Sequence, residues 1–395
     1  MKAEQVRRTP HLFFYLQDGR TVDVRELLRG IVRTPRVTRI WAISMPAGEE
    51  YSLTREELLS LLEIPSEEWS RADGVPCDGA LAERFARQGL LICDDPAEPF
   101  ATFRRRDDSL SATDWNLYAS LYHSMKKWQG IDLSGDPGGR RAANRAIDRY
   151  VELHGELPSH FYSRAGEAGT SSLPSAQKDG DLYRVLTTRR TVRTFDREAQ
   201  LSLEDFSTIL RYTFGCQGYA PISGGSWILK KTSPSGGGLH PIEAYPLVMN
   251  VNGIEPGLYH YNVERHDLER LRSSTENEAR GLADVFSARQ PYAQDAGALV
   301  ILTARFPRSF WKYRSHEKAY GVLLMDAGHL SQTFYLVCTD LRLGPFVTAA
   351  VNDRDIEEAL GIDGYTEGAL AVLGVGRPGS ANGGRDPVFR PWHPG

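Results

Sequence analysis

The chain contains 395 residues, 41% of them hydrophobic and 10% aromatic, with a formal net charge of -4 and a pI near 6.2. A chain of this length and apolar content can bury a sizeable core and is long enough for two domains. The near-neutral charge gives no global electrostatic attraction for nucleic acid or an anionic membrane. Because no segment approaches the about 18 consecutive apolar residues of a membrane span, and the N-terminus lacks the apolar core of a signal peptide, we expect a cytoplasmic protein that binds neither nucleic acid nor membranes.

The four cysteines are scattered along the chain. They form no Cys-x-x-Cys pair, and no histidines cluster at the spacing of zinc ligands. The sequence therefore predicts neither a disulfide framework nor a metal site.

The first 110 residues carry the pattern of a small module of strands and helices. The predicted elements are, in chain order, a strand at 12–16, a helix near 24–32, a strand at 37–43, a helix after a capping box of Thr54 and Glu57, a helix at 80–88, and strands at 90–93 and 100–103. Apolar runs and turn residues set these bounds. Helix, helix and hairpin in this order predict a winged-helix-like module over residues 1–110.

Winged-helix modules often bind DNA, and the second predicted helix carries Arg84 and Arg87. Asp94 and Asp95, however, lie at the predicted wing, where they would repel phosphates. DNA binding is therefore the least favoured role, and a purely structural packing domain stays open.

Residues 111–180 are predicted to form a helical connector and a flexible linker. A helix at 111–128 carries His123, which we expect to be a satisfied, partly buried histidine. The apolar stripe of this helix comprises Trp115, Leu117, Tyr118, Leu121, Tyr122 and Trp128. A polar helix is predicted at 141–153, and the serine, glycine and alanine content of 163–180 is typical of a linker or an active-site flap.

Residues 181–395 combine long helices with few strands. The predicted helices run from Asp181 into an arginine-rich segment, over 203–212 and over 319–341, and the predicted strands lie at 245–251, 257–261, 299–305 and 369–375. A long, largely apolar helix accompanied by strands predicts an α+β sandwich with residues 319–341 as its central helix.

Two segments of this region carry the residue types of an anion and ring site. Arg-Arg-Thr-Val-Arg-Thr-Phe at 189–195 offers guanidinium forks and hydroxyl donors to a phosphate. Ser-Gly-Gly-Gly at 235–238 lets backbone amides approach a ligand closely. The alternative interpretation is a solvated basic helix end followed by an ordinary glycine loop.

Three motifs together resemble a known family. Arg-Arg-Thr-x-Arg-x-Phe from Arg189, Pro-Ser-Gly-Gly-x-x-His-Pro-x-Glu-Ala-Tyr from Pro234, and Trp-Lys-Tyr-Arg from Trp311 are similar to motifs of the FMN-dependent nitroreductase superfamily. More narrowly, they resemble the peptide-maturation dehydrogenases that oxidise azolines to thiazoles and oxazoles in ribosomal peptide natural products. The resemblance implies a nitroreductase-like FMN-binding domain over residues 181–395, preceded by the winged-helix-like domain.

The resemblance also implies which residues contact FMN. The candidates by position are Arg189, Arg190, Thr191 and Arg193 for the phosphate and ribityl chain, Ser235, Gly236 and Gly237 for the ring, and Arg377 as the basic residue that closes on the phosphate. The family's glycine pair after the central helix is missing from residues 347–353, so the amide that faces flavin N5 is left open.

Catalytic roles are implied for Lys312 and Tyr313. Azoline oxidation removes a hydride and a ring proton, and an amine whose pKa is lowered by burial or by a nearby cation accepts the proton. Tyr313 would orient that base or donate a hydrogen bond to the substrate carbonyl. The alternative is a solvated lysine beside an interface tyrosine.

Four further polar residues are expected to have structural roles. His240 and Glu243 follow the glycine loop and are expected to anchor it by a buried hydrogen bond. Asp326 and His329 share one face of the central helix, where a structural pair is favoured over an acid/base pair.

The sequence thus predicts an FMN-dependent dehydrogenase that oxidises azoline rings, or another peptidyl site, in a ribosomally made peptide. The implied partners are a precursor peptide, whose leader adds as a strand to the N-terminal module, a cyclodehydratase or other maturation enzymes, and a second copy of the chain in a homodimer. Two alternatives stay open. One is a nitro, quinone or dehydroamino-acid reductase that uses NAD(P)H, and the other is a peptide-binding scaffold without catalysis.

Overall fold

The computed structural model describes residues 3–20, 36–134, 148–149, 151–156, 159–161, 171, 173–174, 178–380, 386 and 389. These residues fall into two compact units. The first unit draws its residues from 1–128, 305–321 and 357–368, and the second from 129–304, 322–356 and 369–395. Lys312 and Tyr313 thus belong to the same unit as the N-terminal residues. The domain boundaries predicted at 110 and 180 stay a prediction.

The described strands form two three-stranded sheets in the first unit, and a two-stranded sheet and a six-stranded sheet in the second. They are β1 (Gln5–Arg8), β2 (Leu12–Arg20), β3 (Arg36–Ser44), β4 (Glu49–Leu53), β5 (Ser70–Arg71), β6 (Leu91–Cys93), β7 (Gly218–Pro221), β8 (Trp227–Lys230), β9 (Ile242–Val248), β10 (Gly257–Asn262), β11 (Asp267–Ser273), β12 (Ala298–Arg305), β13 (Gly344–Thr348) and β14 (Glu367–Gly376). The sheet orders are β5-β1-β6, β2-β3-β4, β7-β8 and β11-β10-β9-β12-β14-β13.

The described part of the chain contains ten α-helices with defined bounds. They are α1 (Arg55–Glu63), α2 (Gly79–Arg87), α3 (Phe100–Ala112), α4 (Leu117–Met125), α5 (Asp181–Thr188), α6 (Leu203–Thr213), α7 (Glu276–Phe286), α8 (Phe306–Phe310), α9 (Ala319–Asp340) and α10 (Asp353–Leu360). Among the helices that the structure describes, none is both long and apolar enough to cross a membrane.

The N-terminal part of the first unit follows its local sequence signals closely. The strands predicted at 12–16 and 37–43 are confirmed as parts of β2 and β3, which pair antiparallel. The capping box is also confirmed, because Thr54 Oγ1 accepts from Glu57 N at 3.1 Å and Glu57 Oε2 accepts from Thr54 N at 3.0 Å. The helix predicted near 24–32 lies outside the described residues.

The prediction of a wing, a hairpin of strands at 90–93 and 100–103, is wrong. Residues 100–103 begin α3 instead of forming a strand, and β6 pairs with β1. The buried face of α3 carries Phe100, Asp107 and Leu110 at helical spacing. Arg7 Nη2 lies 2.6 Å from Asp107 Oδ2 on this face. The carboxylate of Asp107 interrupts the apolar pattern of this face, and the arginine that neutralises it lies far away in the sequence. Apolar periodicity therefore did not predict the helix.

Helix α4 buries a polar face, which corrects part of the predicted apolar stripe. Four members of that stripe are exposed, namely Leu117, Tyr118, Tyr122 and Trp128. The fully buried side chain is His123, whose Nδ1 lies 2.9 Å from the Tyr320 hydroxyl and whose Nε2 lies 2.7 Å from the Gly364 carbonyl. Burial lowers the pKa of His123 well below its usual value, so the ring is neutral. The buried face of α4 is therefore determined by hydrogen bonds and not by apolar side chains. Both ring nitrogens of His123 have hydrogen-bond partners, as predicted.

The second unit is built on the six-stranded sheet and on α9. The predicted strands at 245–251, 257–261, 299–305 and 369–375 are confirmed as β9, β10, β12 and β14, with shifted ends. The predicted central helix is confirmed as α9. Strands β11 and β13 escaped the prediction, because β11 is a largely exposed, charged edge strand and β13 contains only five residues.

Candidate functional site

The arginine-rich segment follows α5 and is fixed by backbone hydrogen bonds. Val192 N donates to Pro345 O of β13 at 2.8 Å, and Gly379 N donates to Thr194 O at 2.9 Å. A third bond of 2.9 Å joins Asp196 N to Arg377 O. The structure thus brings the first predicted phosphate segment alongside Arg377 within the second unit.

Two of the predicted phosphate arginines lie over aromatic rings. The guanidinium carbon of Arg189 is 5.4 Å from the ring centroid of Tyr335, and that of Arg193 is 5.6 Å from Tyr292. Thr191 Oγ1 lies 2.9 Å from the Tyr335 hydroxyl, so one tyrosine supports two of the candidate contacts. Burial raises the pKa of Tyr292, and the positive charge of Arg193 opposes that rise.

The charges of these arginines are not neutralised by carboxylates within the described ranges. Among those residues, neither Arg189 nor Arg193 forms an ion pair, and Arg190 is exposed. Arg377 differs, because its Nη2 lies 3.5 Å from Asp205 and its Nε donates to Gln200 O at 3.4 Å. Arg193 N donates to Asp386 Oδ1 at 2.7 Å, so a carboxylate also lies at this segment, bound to its backbone. The segment therefore offers the guanidinium groups of Arg189 and Arg193 to an anion, and both it and Arg377 have a carboxylate neighbour.

The glycine loop is held by one buried carboxylate. Ser235 Oγ donates to Asp326 Oδ2 at 2.5 Å, and Gly236 N donates to Asp326 Oδ1 at 3.0 Å. Ser235 Oγ in turn accepts from His240 N at 2.9 Å. Gly237, at φ 64°, is exposed in the left-handed region, so its backbone faces outward without a side chain. Asp326 therefore shapes the loop from the central helix α9.

Sequence reasoning missed this role of Asp326. The expected structural pair with His329 is wrong, because both carboxylate oxygens bind the loop and His329 Nδ1 is buried without a hydrogen-bond partner in the described structure. Asp326 and Ser235 lie 91 positions apart in sequence, and no local pattern links them. The only available signal was a lone carboxylate in a largely apolar helix.

The glycine loop and the arginine segment both bind α9, at different positions along the helix axis. The glycine loop binds Asp326, whereas Thr191 binds Tyr335, nine residues later. This spacing corresponds to a rise of about 14 Å and roughly two and a half turns of α-helix.

His240 and Glu243, the predicted anchors, have separate partners. His240 Nε2 lies 3.1 Å from Leu229 O of β8, so its side chain ties the loop to the β7-β8 hairpin. Glu243 Oε2 lies 3.4 Å from His260 Nε2, and Glu269 Oε2 lies 2.7 Å from His260 Nδ1. Glu243 and then Glu269 raise the pKa of His260 against the effect of burial, and His260 lowers the pKa of Glu269 to about 2.

The charge state of His260 predicts a pH-dependent stability. Because its pKa is raised by folding, its contribution is fully present below the unfolded value of about 6.5 and is lost as pH rises through the folded value. The substitution His260→Gln should therefore lower the urea midpoint of unfolding near about pH 5.5 and have little effect near about pH 9. The matched control is His160→Gln at an exposed histidine, which should change neither midpoint. A deficit in His260→Gln that is equal at both pH values would contradict this interpretation.

Lys312 and Tyr313 lie in the first unit, directly after α8. Both of their backbone amides donate to Ser309 O at 3.2 Å. Lys312 is exposed, with Nζ 5.5 Å from the ring centroid of Tyr313, which is half-buried. The pair is therefore adjacent and open to an incoming molecule.

Comparison with known proteins identifies the family of this chain. The model described as "Nitroreductase family" matches residues 186–377. The trifolitoxin-processing protein TfxB of Rhizobium leguminosarum bv. trifolii is 33% identical over 273 residues, which cover 67% of this chain and 70% of that protein. The chain belongs to the nitroreductase family. A Methanocaldococcus jannaschii protein named "Putative nitroreductase MJ1384" is 32% identical over 193 residues, 49% of this chain and 89% of that protein.

Solved structures show weaker likenesses. An Escherichia coli microcin synthetase McbBCD complex with truncated pro-MccB17 bound contains a chain that is 19% identical, with a TM-score of 0.44 and coverage of 63% of this chain and 90% of that chain. A nitroreductase-type structure from Ralstonia eutropha is 22% identical, with a TM-score of 0.39 and coverage of 53% and 88%. Membership of the nitroreductase family confirms the predicted α+β fold class.

Proposed function

We propose that this nitroreductase-family protein binds FMN and oxidises azoline rings of a ribosomally made peptide to azoles. The observation that carries the proposal is the cluster of Arg189, Thr191 and Arg193, in which neither guanidinium group forms an ion pair with a described residue and Asp386 binds only the backbone of Arg193. The name of TfxB, a trifolitoxin-processing protein, supports a peptide as the substrate.

The residues present fit FMN in charge and in space. A phosphate dianion needs guanidinium forks and neutral donors, which Arg189, Arg193 and Thr191 supply. The loop that would lie beside the flavin ring depends on glycine for its position, since a Cβ on Gly236 would lie 2.1 Å from Val322 Cγ1 and would push the loop away from α9. Arg190 and Arg377 are the outer candidates for the phosphate, and Ser235 and Gly237 complete the loop beside the ring.

A substitution at Gly236 tests the loop. Gly236→Ala forces the loop away from Val322, and restoring its position costs about 1–3 kcal/mol, which corresponds to a roughly 5- to 150-fold weaker FMN affinity. The measurement is titration of the apoprotein with FMN by flavin fluorescence. The double variant Gly236→Ala/Val322→Ala removes the clashing methyl and should recover the affinity. Equal affinity in Gly236→Ala and the wild type would exclude the loop from the FMN site.

The chemistry divides between the cofactor and the chain. When bound, FMN would supply the hydride acceptor, with dioxygen as the final oxidant. In the chain, Lys312 Nζ accepts the ring proton while Tyr313 orients the amine or the substrate carbonyl. Each ring loses one hydride and one proton, which equals two hydrogen atoms.

The proposal is tested with the purified full chain. Its visible spectrum should show flavin bands, and the released chromophore should be FMN. Incubation with an azoline-containing peptide in air should then lower the peptide mass by two hydrogen atoms per ring. An unchanged mass with peptides that an established azoline dehydrogenase oxidises would overturn the proposal, and rapid turnover of nitroaromatics with NADPH would favour a small-molecule reductase instead.

The partners follow from the same proposal. A precursor peptide would add its leader as a strand to the N-terminal module, and a cyclodehydratase or other maturation enzyme would supply the azolines. A homodimer is supported by an exposed apolar face on α9, where Leu324 is 42% and Met325 62% exposed. Sedimentation equilibrium measures this directly, and a monomer at micromolar concentration would contradict the dimer.

A further inference from the structure

We propose that Asp114 and Asn116, in the loop between α3 and α4, are positioning residues that hold the turn carrying Lys312 and Tyr313. The inference rests on the proposed function, because it assigns those two residues to proton transfer. It adds that the N-terminal part of the chain sets the geometry of the catalytic pair.

The contact is centred on Ser315, two residues after Tyr313. Ser315 has φ 48°, a left-handed conformation that a serine adopts only at a cost. Its amide donates to Asp114 O at 2.9 Å, and its carbonyl accepts from Asn116 Nδ2 at 3.1 Å. Both backbone groups of the strained residue are therefore held by the same short loop.

Neighbouring rings fix the flanks of the turn. The ring centroid of Trp115 lies 4.5 Å from that of Phe306 and 4.9 Å from that of Phe310, the two ends of α8. On the other side of the turn, the Tyr320 hydroxyl lies 2.9 Å from His123 Nδ1. Residues 114–123 thus contact the segment from Phe306 to Tyr320 at α8, at Ser315 and at Tyr320, on both sides of the catalytic pair.

Local structure alone would leave the pair loosely placed. Helix α8 has only five residues, and both Lys312 N and Tyr313 N share a single acceptor, Ser309 O. The ion pair of Arg314 with Asp114 is long, at 3.7 Å, and both side chains are exposed, so it adds little. Within the turn, His316 N donates to Tyr313 O at 3.1 Å. The hydrogen bonds to Ser315 are the polar restraint that the loop between α3 and α4 places on the C-terminal side of the turn.

The substitution Asn116→Asp isolates this restraint. Asn116 Oδ1 caps α4 by accepting from Tyr118 N at 3.1 Å and Ala119 N at 3.2 Å, and aspartate caps a helix equally well. The donor to Ser315 O is replaced by a carboxylate oxygen, which adds one negative charge and repels the Ser315 carbonyl. We expect kcat for peptide oxidation to fall about tenfold with KM and FMN content unchanged, because a small misplacement of a catalytic group has an effect of this size or larger.

A readout without activity accompanies the kinetics. In the apoprotein, amide hydrogen exchange of residues 311–318 and tryptic cleavage after the exposed Lys312 and Arg314 should both accelerate in Asn116→Asp. The matched control is Asp78→Asn, which exchanges the same two side chains at the N-cap of α2, where Asp78 Oδ1 accepts from Leu81 N. It should leave the rate, exchange and cleavage as in the wild type.

The outcomes separate this inference from the proposed function. Wild-type exchange in Asn116→Asp, or faster exchange with an unchanged kcat, would overturn the positioning role. Full activity in Lys312→Ala would instead overturn the catalytic assignment, while the exchange measurement would still report whether Asn116 holds the turn. Faster exchange together with a lower kcat in Asn116→Asp, beside an inactive Lys312→Ala, supports both.

Discussion

Replacing Lys312 with alanine should reduce azoline oxidation by at least about 100-fold, because a positioned general base contributes roughly 10²- to 10⁴-fold to the rate. FMN binding should be unchanged, since the candidate FMN contacts lie in the second unit and Lys312 in the first. The measurement is single-turnover oxidation of an azoline peptide, followed by mass spectrometry and by the flavin spectrum.

Two companion variants identify the role of the amine. Lys312→Arg keeps the positive charge but cannot release its proton, so it should be as inactive as alanine if Lys312 is a base. Lys318→Ala, at an exposed lysine of the same segment, should keep wild-type turnover. Substantial activity in Lys312→Arg would show that the charge and not the proton acceptor matters.

Replacing Glu357 with glutamine should destabilise the first unit by about 3–5 kcal/mol, because it leaves a buried ammonium without its counter-charge. Lys127 Nζ lies 2.9 Å from Glu357 Oε1, and both side chains are 4% exposed. The ammonium also donates to Gly364 O at 2.8 Å. Guanidinium denaturation followed by circular dichroism measures the loss.

The loss of stability in Glu357→Gln should become smaller as the pH rises. Burial lowers the pKa of Lys127, and removing Glu357 takes away the interaction that opposes this effect. A lysine whose folded pKa lies below its unfolded value binds more protons when unfolded, so stability rises with pH. The deficit of Glu357→Gln should therefore shrink between about pH 7 and about pH 10.

A double variant is the control for this pair. Lys127→Met/Glu357→Gln removes both charges and should recover most of the stability, since an apolar replacement of a buried ion pair is often neutral. A single variant as stable as the wild type would mean that water reaches the pair.

Local sequence determined a large part of this protein. The capping box of Thr54, four of the six strands in the large sheet (β9, β10, β12 and β14) and the helix at 319–341 follow from residues that are near neighbours in the chain, so their patterns could be predicted. The arginine segment at 189–193 and the glycine loop at 235–237 were also recognisable, because a charged fork or a glycine run carries its chemistry wherever it lies.

Tertiary structure decided the features that depend on distant partners. Residues 100–112 are helical with a buried Asp107 because Arg7 neutralises it, and Asp326 shapes the glycine loop 91 positions away. Ser315 adopts its left-handed turn beside Lys312 because residues 114 and 116 hold it. Each of these is a polar contact between segments far apart in sequence, and the free energy of such a contact exists only when the fold brings both partners together and excludes water.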